Sequence, residues 1–409
     1  MHNSHYTDAL NWLFQQFPSY QEVGSSAYKP TLENTRKICK HFGNPQNDLK
    51  FVHVAGSNGK GTVSSILASS LTESNFKVGL FTSPHIVDFR ERIRINGTPI
   101  SESTVVEFVA NIKKADFDFS PSFFEITFCL ALIEFKRSNT DICIIETGLG
   151  GRLDATNIIT SLLSVITTIS LEHTEILGDT IEQIAREKGG IIKPSIPVII
   201  GNVSKDAFQV LSKIASDHKS TLYQSDLNKE LVVDHNFITE YQIENLKLAI
   251  ASLELLHSIG FKTKNESIEK GLINIYKNTG YFGRFQITER NPNLVFDVSH
   301  NEDGIKATLK SINHLNKGKL FVIFGASQDK NLNSIKNLFS EETQLFCTEF
   351  DHLRAAKIAK LKFEFSQTNL KSISYYTDPK IALKDAKTLA SIDDTILVMG
   401  SFFLISKFF

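Results

Sequence analysis

Phe51-Val52-His53-Val54-Ala55-Gly56-Ser57-Asn58-Gly59-Lys60-Gly61-Thr62 passes from a β-prone apolar run into a glycine-rich turn, then into the helical pattern Val63 to Leu71. Small residues let backbone N–H groups turn inward on a phosphate. A lysine offsets its charge, and the helix N-terminus adds a favourable dipole. The usual spacing G-x-x-x-x-G-K-[ST] is broken twice: Val54 stands where the first glycine belongs, and Gly61 separates Lys60 from Thr62. An ordinary strand-to-helix turn accounts for two glycines, but not for a lysine flanked by them. The segment therefore reads as a nucleotide phosphate loop, with Gly56, Asn58, Gly59, Lys60, Gly61 and Thr62 as its binding residues.

Outward from this loop, short apolar runs at 78–81, 142–145 and 165–169 alternate with amphipathic stretches at 105–115 and 181–188. Continuous apolar strands separated by helices predict a parallel sheet covered on both faces. The pattern restarts with runs at 294–296, 320–323 and 396–399, separated by helical stretches at 304–315 and 380–389. The expected architecture is α/β: a P-loop-type, mostly parallel ATPase domain over residues 1–283, and a smaller Rossmann-like α/β domain over 284–409. In such sheets the chemistry lies at the carboxyl ends of the strands.

Composition narrows the class further. The 409 residues carry 44 Lys and Arg against 45 Asp and Glu, a net charge of −1 with 41% apolar content. That excludes a disordered tail and lacks the basic footprint of a nucleic-acid binder. Cys39, Cys129, Cys143 and Cys347 form no CxxC pair and read as reduced thiols of a cytoplasmic protein. The first residues carry no secretory pattern. The apolar tail from Ser401 to Phe409 is far short of the ~20 residues a membrane span needs, so a buried last helix and no membrane contact are expected.

Three residues follow strands directly: Ser83, Glu146 and His173. A hydroxyl, a carboxylate and an imidazole at strand ends suit a divalent cation held against nucleotide phosphates. Each also has a plainer reading: Ser83 as a turn residue before Pro84, Glu146 as a partner of Arg152, His173 as a supporting imidazole.

Taken with the run from Leu177 to Pro194, these segments resemble the folylpolyglutamate synthase/dihydrofolate synthase family of the Mur ligase superfamily. The resemblance implies that Ser83, Glu146 and His173 bind Mg²⁺, with Thr62 in a similar role for the ATP-bound ion. It implies that Lys188 is carbamylated and orders a second ion. Asn245 and Arg284 would contact ATP, while Asp297 and His300 would complete the closed site; Lys60, Lys188 and His300 form the implied catalytic set. The implied reaction joins L-glutamate to dihydropteroate or to the terminal glutamate of a reduced folate, through an acyl phosphate, in a cytoplasmic monomer. The alternatives are another Mur-type amide ligase or a non-ligating paralogue that binds ATP or folate. Phe123 or Phe124 is a candidate to stack on the acceptor ring, with Asp154 and Arg90 as candidate polar contacts. The sequence departs from the family pattern at Gly189 for Ala, Thr239 for Gly, Glu302 for Pro and Asn331 for an acid, and the stretch 226–240 is short.

Overall fold

The computed structural model describes residues 4–17, 19, 24, 28–115, 117–231, 237–330 and 332–409; Asn331 lies outside them. The chain forms two compact units, Met1–Tyr281 and Phe282–Phe409.

In the first unit β1 (Phe51–Ala55) lies inside an eight-stranded sheet with β2 (Val78–Phe81), β3 (Ile93–Ile95), β4 (Thr98–Pro99), β5 (Ile142–Glu146), β6 (Leu163–Ile166), β7 (Val198–Ile200) and β8 (Leu222–Gln224), ordered β4-β3-β2-β5-β1-β6-β7-β8. All pair in parallel except at β3 and β4, which add an antiparallel edge. Alternate residues of β1 feed two cores. Phe51 packs with Phe81, Phe123, Phe128 and Ile145 on one face, while Val52 and Val54 pack with Ile66, Leu67, Leu246 and Leu253 on the other. Burial on both faces is why these strands read as continuous apolar runs. The run expected at 165–169 instead forms a strand that ends at Ile166. Beyond it, the hydroxyls of Thr167 and Thr168 donate to the Asn58 carbonyl at 2.5 and 3.2 Å, which commits this segment to the phosphate loop.

Helix starts are fixed by side chains. Ser122 with Glu125, Thr180 with Gln183 and Thr239 with Gln242 form capping boxes, satisfying backbone N–H groups that the first turn leaves open. Thr239, a departure from the family pattern, thus starts the helix Glu240–Ser258 that carries Asn245.

The second unit is a six-stranded sheet of β9 (Gln286–Glu289), β10 (Asn293–Asp297), β11 (Leu320–Phe324), β12 (Gln344–Thr348), β13 (Ser372–Tyr376) and β14 (Thr395–Met399), in the order β13-β12-β11-β14-β10-β9. Only β9 is antiparallel. The apolar tail forms a short helix, Phe402–Ile405, with Leu404 and Ile405 buried, and Phe409 packs edge-on against Phe296. All four cysteines are buried and unbridged. Among the described residues no helix is long and apolar enough to cross a membrane.

Candidate active site

The phosphate loop leaves β1 in a conformation that needs glycine. Gly59 has φ +88°, and a Cβ there would lie 2.2 Å from the Asn245 amide oxygen. A side chain would meet both backbone strain and a collision, so the loop and the helix bearing Asn245 approach closely because position 59 is empty. Opposite, Ser57 N–H donates to the Thr168 carbonyl at 2.8 Å. The Ser57 hydroxyl donates to the Ser170 carbonyl at 3.1 Å and accepts from Ser170 N–H at 3.0 Å. The loop is thus pinned to the segment after β6. Thr62 is buried in the first helical turn, its hydroxyl 3.4 Å from that of Tyr281.

Two lysines converge on one carbonyl. Lys60 Nζ donates to Gly56 O at 2.8 Å, and Lys188 Nζ donates to the same oxygen at 2.9 Å. Lys188 also donates to Glu172 Oε1 at 2.7 Å, with side chains only 2% and 7% exposed. Burial alone would raise the Glu172 pKa, but Lys188 and Lys60 outweigh it and hold the group near 2. Burial pushes Lys188 down, partly countered by Glu172 and reinforced by Lys60. Two cations against one carboxylate leave a local positive excess beside the loop, as a polyphosphate requires. Sequence reasoning missed Glu172. Its signal was a carboxylate next to His173 at a strand end; its pairing with Lys188, sixteen residues away, is tertiary.

Ser83 and Glu146 are brought together, Ser83 N–H lying 3.3 Å from Glu146 Oε2. Glu146 is buried at the end of β5 and does not pair with Arg152, which bonds Glu187 at 2.8 Å. Behind them, buried Arg92 donates Nε–H to His85 Nδ1 at 2.8 Å. His173 has φ +48° and begins the short helix Thr174–Leu177; its charge contributes to the low pKa of Glu172. Among the described residues no three His, Cys, Asp or Glu side chains form a metal-ligating cluster. Any ion here would therefore lean on the Ser83 hydroxyl and on substrate oxygens as well. Two buried hydroxyls just past strand ends, Thr147 Oγ1 and Ser170 Oγ, have no hydrogen-bond partner, as groups awaiting a ligand would.

The aromatic candidates separate. Phe123 is core: buried, stacked on Phe14 at 4.7 Å and edge-on to Phe89. Phe124 is half-buried and lies over Gly148, where a Cβ would come within 2.6 Å of its ring. Arg90 is held by Asp88 in a two-pronged pair at 3.0 Å and sits over the Tyr6 ring. Asp154 is buried and accepts from Gly148 N–H (2.9 Å), Leu149 N–H (2.8 Å), Thr156 N–H (2.9 Å) and the Thr156 hydroxyl (2.5 Å). Both side chains are engaged within the protein.

In the second unit, Asp297 ends β10 and accepts Phe285 N–H at 2.7 Å and Ser299 N–H at 2.8 Å, fixing the residue next to Arg284. The Arg284 guanidinium lies 5.8 Å over the Phe402 ring, and the His300 ring lies 5.6 Å edge-on to the same ring. Arg284, Asp297 and His300 therefore form one group at the carboxyl ends of β10 and β14.

Comparison with known proteins gives a consistent picture. Residues 54–269 match the Mur ligase middle domain, and residues 283–402 match the Mur ligase glutamate ligase domain. The chain is 34% identical to the dihydrofolate synthase/folylpolyglutamate synthase of Buchnera aphidicola subsp. Acyrthosiphon pisum, over 92% of this chain and 93% of that protein. It is 30% identical to the Bacillus subtilis protein of the same name, over 98% and 97%. It spans half the length of a probable bifunctional folylpolyglutamate synthase/dihydropteroate synthase of Haloferax volcanii, to which it is 29% identical. A bifunctional folylpolyglutamate synthase/dihydrofolate synthase solved with Mn, AMPPNP and L-glutamate has a TM-score of 0.84 at 27% identity, covering 98% of this chain and 97% of that one. Escherichia coli FolC in complex with DHPP and ADP has the same score and identity, covering 98% and 96%. The chain belongs to the dihydrofolate synthase/folylpolyglutamate synthase family of Mur ligases and is an ATP-dependent ligase.

Proposed function

We propose that the protein joins L-glutamate both to dihydropteroate and to the terminal glutamate of reduced folates. The carrying observation is the lysine pair on the Gly56 carbonyl, built into a phosphate loop within a family whose solved members bind an ATP analogue, L-glutamate and DHPP. In this reading residues 1–283 serve ATP and residues 284–409 serve as the glutamate ligase domain, in a cytoplasmic monomer.

A carboxylate resists amines because it offers no good leaving group. Its oxygen attacks the γ-phosphorus of ATP, the bond to the β-phosphate oxygen breaks, and ADP leaves an acyl phosphate. The glutamate nitrogen then attacks the acyl carbon and loses a proton. The tetrahedral intermediate collapses to amide and inorganic phosphate. Gly56, Asn58, Gly59, Gly61 and Thr62 cradle the phosphates, and Lys60 offsets charge growing on the phosphoryl oxygens. Asn245, Arg284 and Asp297 serve ATP, and His300 orients the reacting groups. Phe124 supports the acceptor ring.

Ser83, Glu146 and His173 suit one Mg²⁺, a hard cation that keeps water and phosphate oxygens as further ligands. Bound there, magnesium neutralises phosphoryl charge and fixes its orientation. Lys188 is the lysine to be carbamylated: burial eases loss of its proton, and the amine so freed would bond to the carbon of CO₂ and release a second proton to give the carbamate. Its neighbours Gly56 O and Glu172 Oε1 are both acceptors, so a carbamate on Lys188 would put an anion beside Glu172, and these two residues would then suit a second cation.

The test is phosphate release by purified protein with Mg-ATP and L-glutamate, comparing dihydropteroate with tetrahydrofolate. Stimulation by both is expected. Stimulation by one alone removes bifunctionality, and release indifferent to either acceptor removes the substrate assignment.

A further inference from the structure

His53 occupies the middle of β1, fully buried, three residues before the phosphate loop. An apolar residue there would leave no polar atom to satisfy. The imidazole instead leaves Nδ1 with no partner, a buried polar atom whose retention calls for a reason. Its other nitrogen, Nε2, lies 2.8 Å from Thr156 Oγ1. That hydroxyl gives its own proton to Asp154 Oδ1 at 2.5 Å, so Nε2 must carry the hydrogen and donate. The other Asp154 oxygen accepts Gly148 N–H and Leu149 N–H at 2.9 and 2.8 Å. Hydrogen bonds thus converge on Asp154 from both sides, from His53 and Thr156 in the sheet interior and from two backbone amides just past Glu146. Those amides lie at the place where Phe124 rests on Gly148. The same loop is tied at its far end to the helix of Lys188, Arg152 N–H donating to the Glu187 carbonyl at 2.7 Å.

We propose that His53, Thr156 and Asp154 form a positioning relay that fixes the Gly148–Leu149 backbone as the floor of the acceptor's ring site. None of the three needs to touch the reacting atoms. The relay holds the floor rigid, so the binding energy of a planar acceptor is not spent on ordering a loop. The assignment of an acceptor to this floor rests on the function proposed above, whereas the relay itself rests only on the hydrogen-bond chain.

The test uses the full chain and two substitutions, Thr156→Val and His53→Phe, with Thr156→Ser as the conservative control. The first readout is hydrogen exchange at the Gly148 and Leu149 amides, which needs no substrate. Exchange about tenfold faster in Thr156→Val, restored in Thr156→Ser, is expected; unchanged exchange overturns the relay. The second readout is kinetic. The acceptor KM should rise about tenfold in Thr156→Val with the ATP KM within about twofold of wild type. His53→Phe should add little on top of Thr156→Val if the two act in one chain. Faster exchange with an unchanged acceptor KM overturns the positioning role. A parallel rise of both KM values in a folded protein also overturns it, as the mark of a merely structural defect. A wild type inert toward acceptors, with exchange responding as stated, retires the acceptor assignment and leaves the relay standing.

Discussion

Glu172 shows what a single buried charge can and cannot announce. In the sequence it is one acidic residue beside a histidine; in the structure it is the carboxylate against which Lys188 is set, at 2.7 Å and out of water. Removing one partner of a buried pair leaves the other charge uncompensated and costs about 3–5 kcal/mol. Glu172→Gln should therefore lower the stability of the first unit by about 3 kcal/mol in urea denaturation, and Lys188→Met in the same chain should recover part of the loss. A change within about 0.5 kcal/mol, the range of ordinary surface substitutions, would show that the pair carries no such weight. His53 makes a second residue-level prediction. Burial first, and Lys193 second, push its pKa down from 6.5 to about 3. Between those values the unfolded chain binds a proton that the folded protein refuses, so stability falls as pH drops below about 6.5. The contribution is on the order of 1 kcal/mol per pH unit, and denaturation of wild type against His53→Phe between pH 6.5 and 4.5 measures it. Equal slopes would mean that His53 is not held neutral. Neither residue's role was legible from sequence, because burial and partner are properties of the packed chain.

Elements were read more easily than residues, and for a physical reason. The phosphate loop declares itself locally: strand, glycines, lysine and helix start are contiguous, so twelve residues contain the whole argument. The helical stretches expected at 63–71, 105–115, 181–188, 304–315 and 380–389 all form, with ends within three residues of those bounds, whereas Lys205–Asp217 and the long Glu240–Ser258 were not anticipated. Edge strands were not. β3, β4 and β8 are two or three residues long and partly exposed, too short for a pattern to rise above loop chemistry. The junction of loop and helix at Gly59 and Asn245 is the element-level weak point. Gly59→Ala imposes φ +88° on a residue with a Cβ and pushes into the Asn245 amide, so ADP affinity should fall at least about tenfold while the far-ultraviolet circular dichroism stays native. Unchanged affinity would show that the close approach is incidental. Thr239→Ala removes the cap of the helix bearing Asn245 and should cost about 1 kcal/mol of stability. Isothermal denaturation with and without ADP would reveal whether that helix start also governs nucleotide affinity.

At the scale of the whole molecule, two sheets with separate strand orders divide the chain into Met1–Tyr281 and Phe282–Phe409. The restart of strand patterning after the turn-prone Asn291-Pro292-Asn293 announced two layers of α/β structure. That residues of the second unit act with the phosphate loop of the first is an expectation from family resemblance alone. No local rule ties Arg284, Asp297 and His300 to a phosphate loop more than two hundred residues earlier. Thermal unfolding separates the contributions. Each unit has its own sheet and its own buried strands, so calorimetry should show two transitions. ADP at about 100 times its Kd should stabilise the unit holding Lys60 by about 2.7 kcal/mol, displacing that transition upward. Arg284→Ala then reports on the second unit: if Arg284 contacts the nucleotide, the displacement shrinks although Arg284 lies outside the unit that shifts. A displacement of full size in Arg284→Ala would confine nucleotide binding to residues 1–283. The arginine's role would then lie in a later step, after ADP has formed, such as attack by the glutamate amine on the acyl carbon.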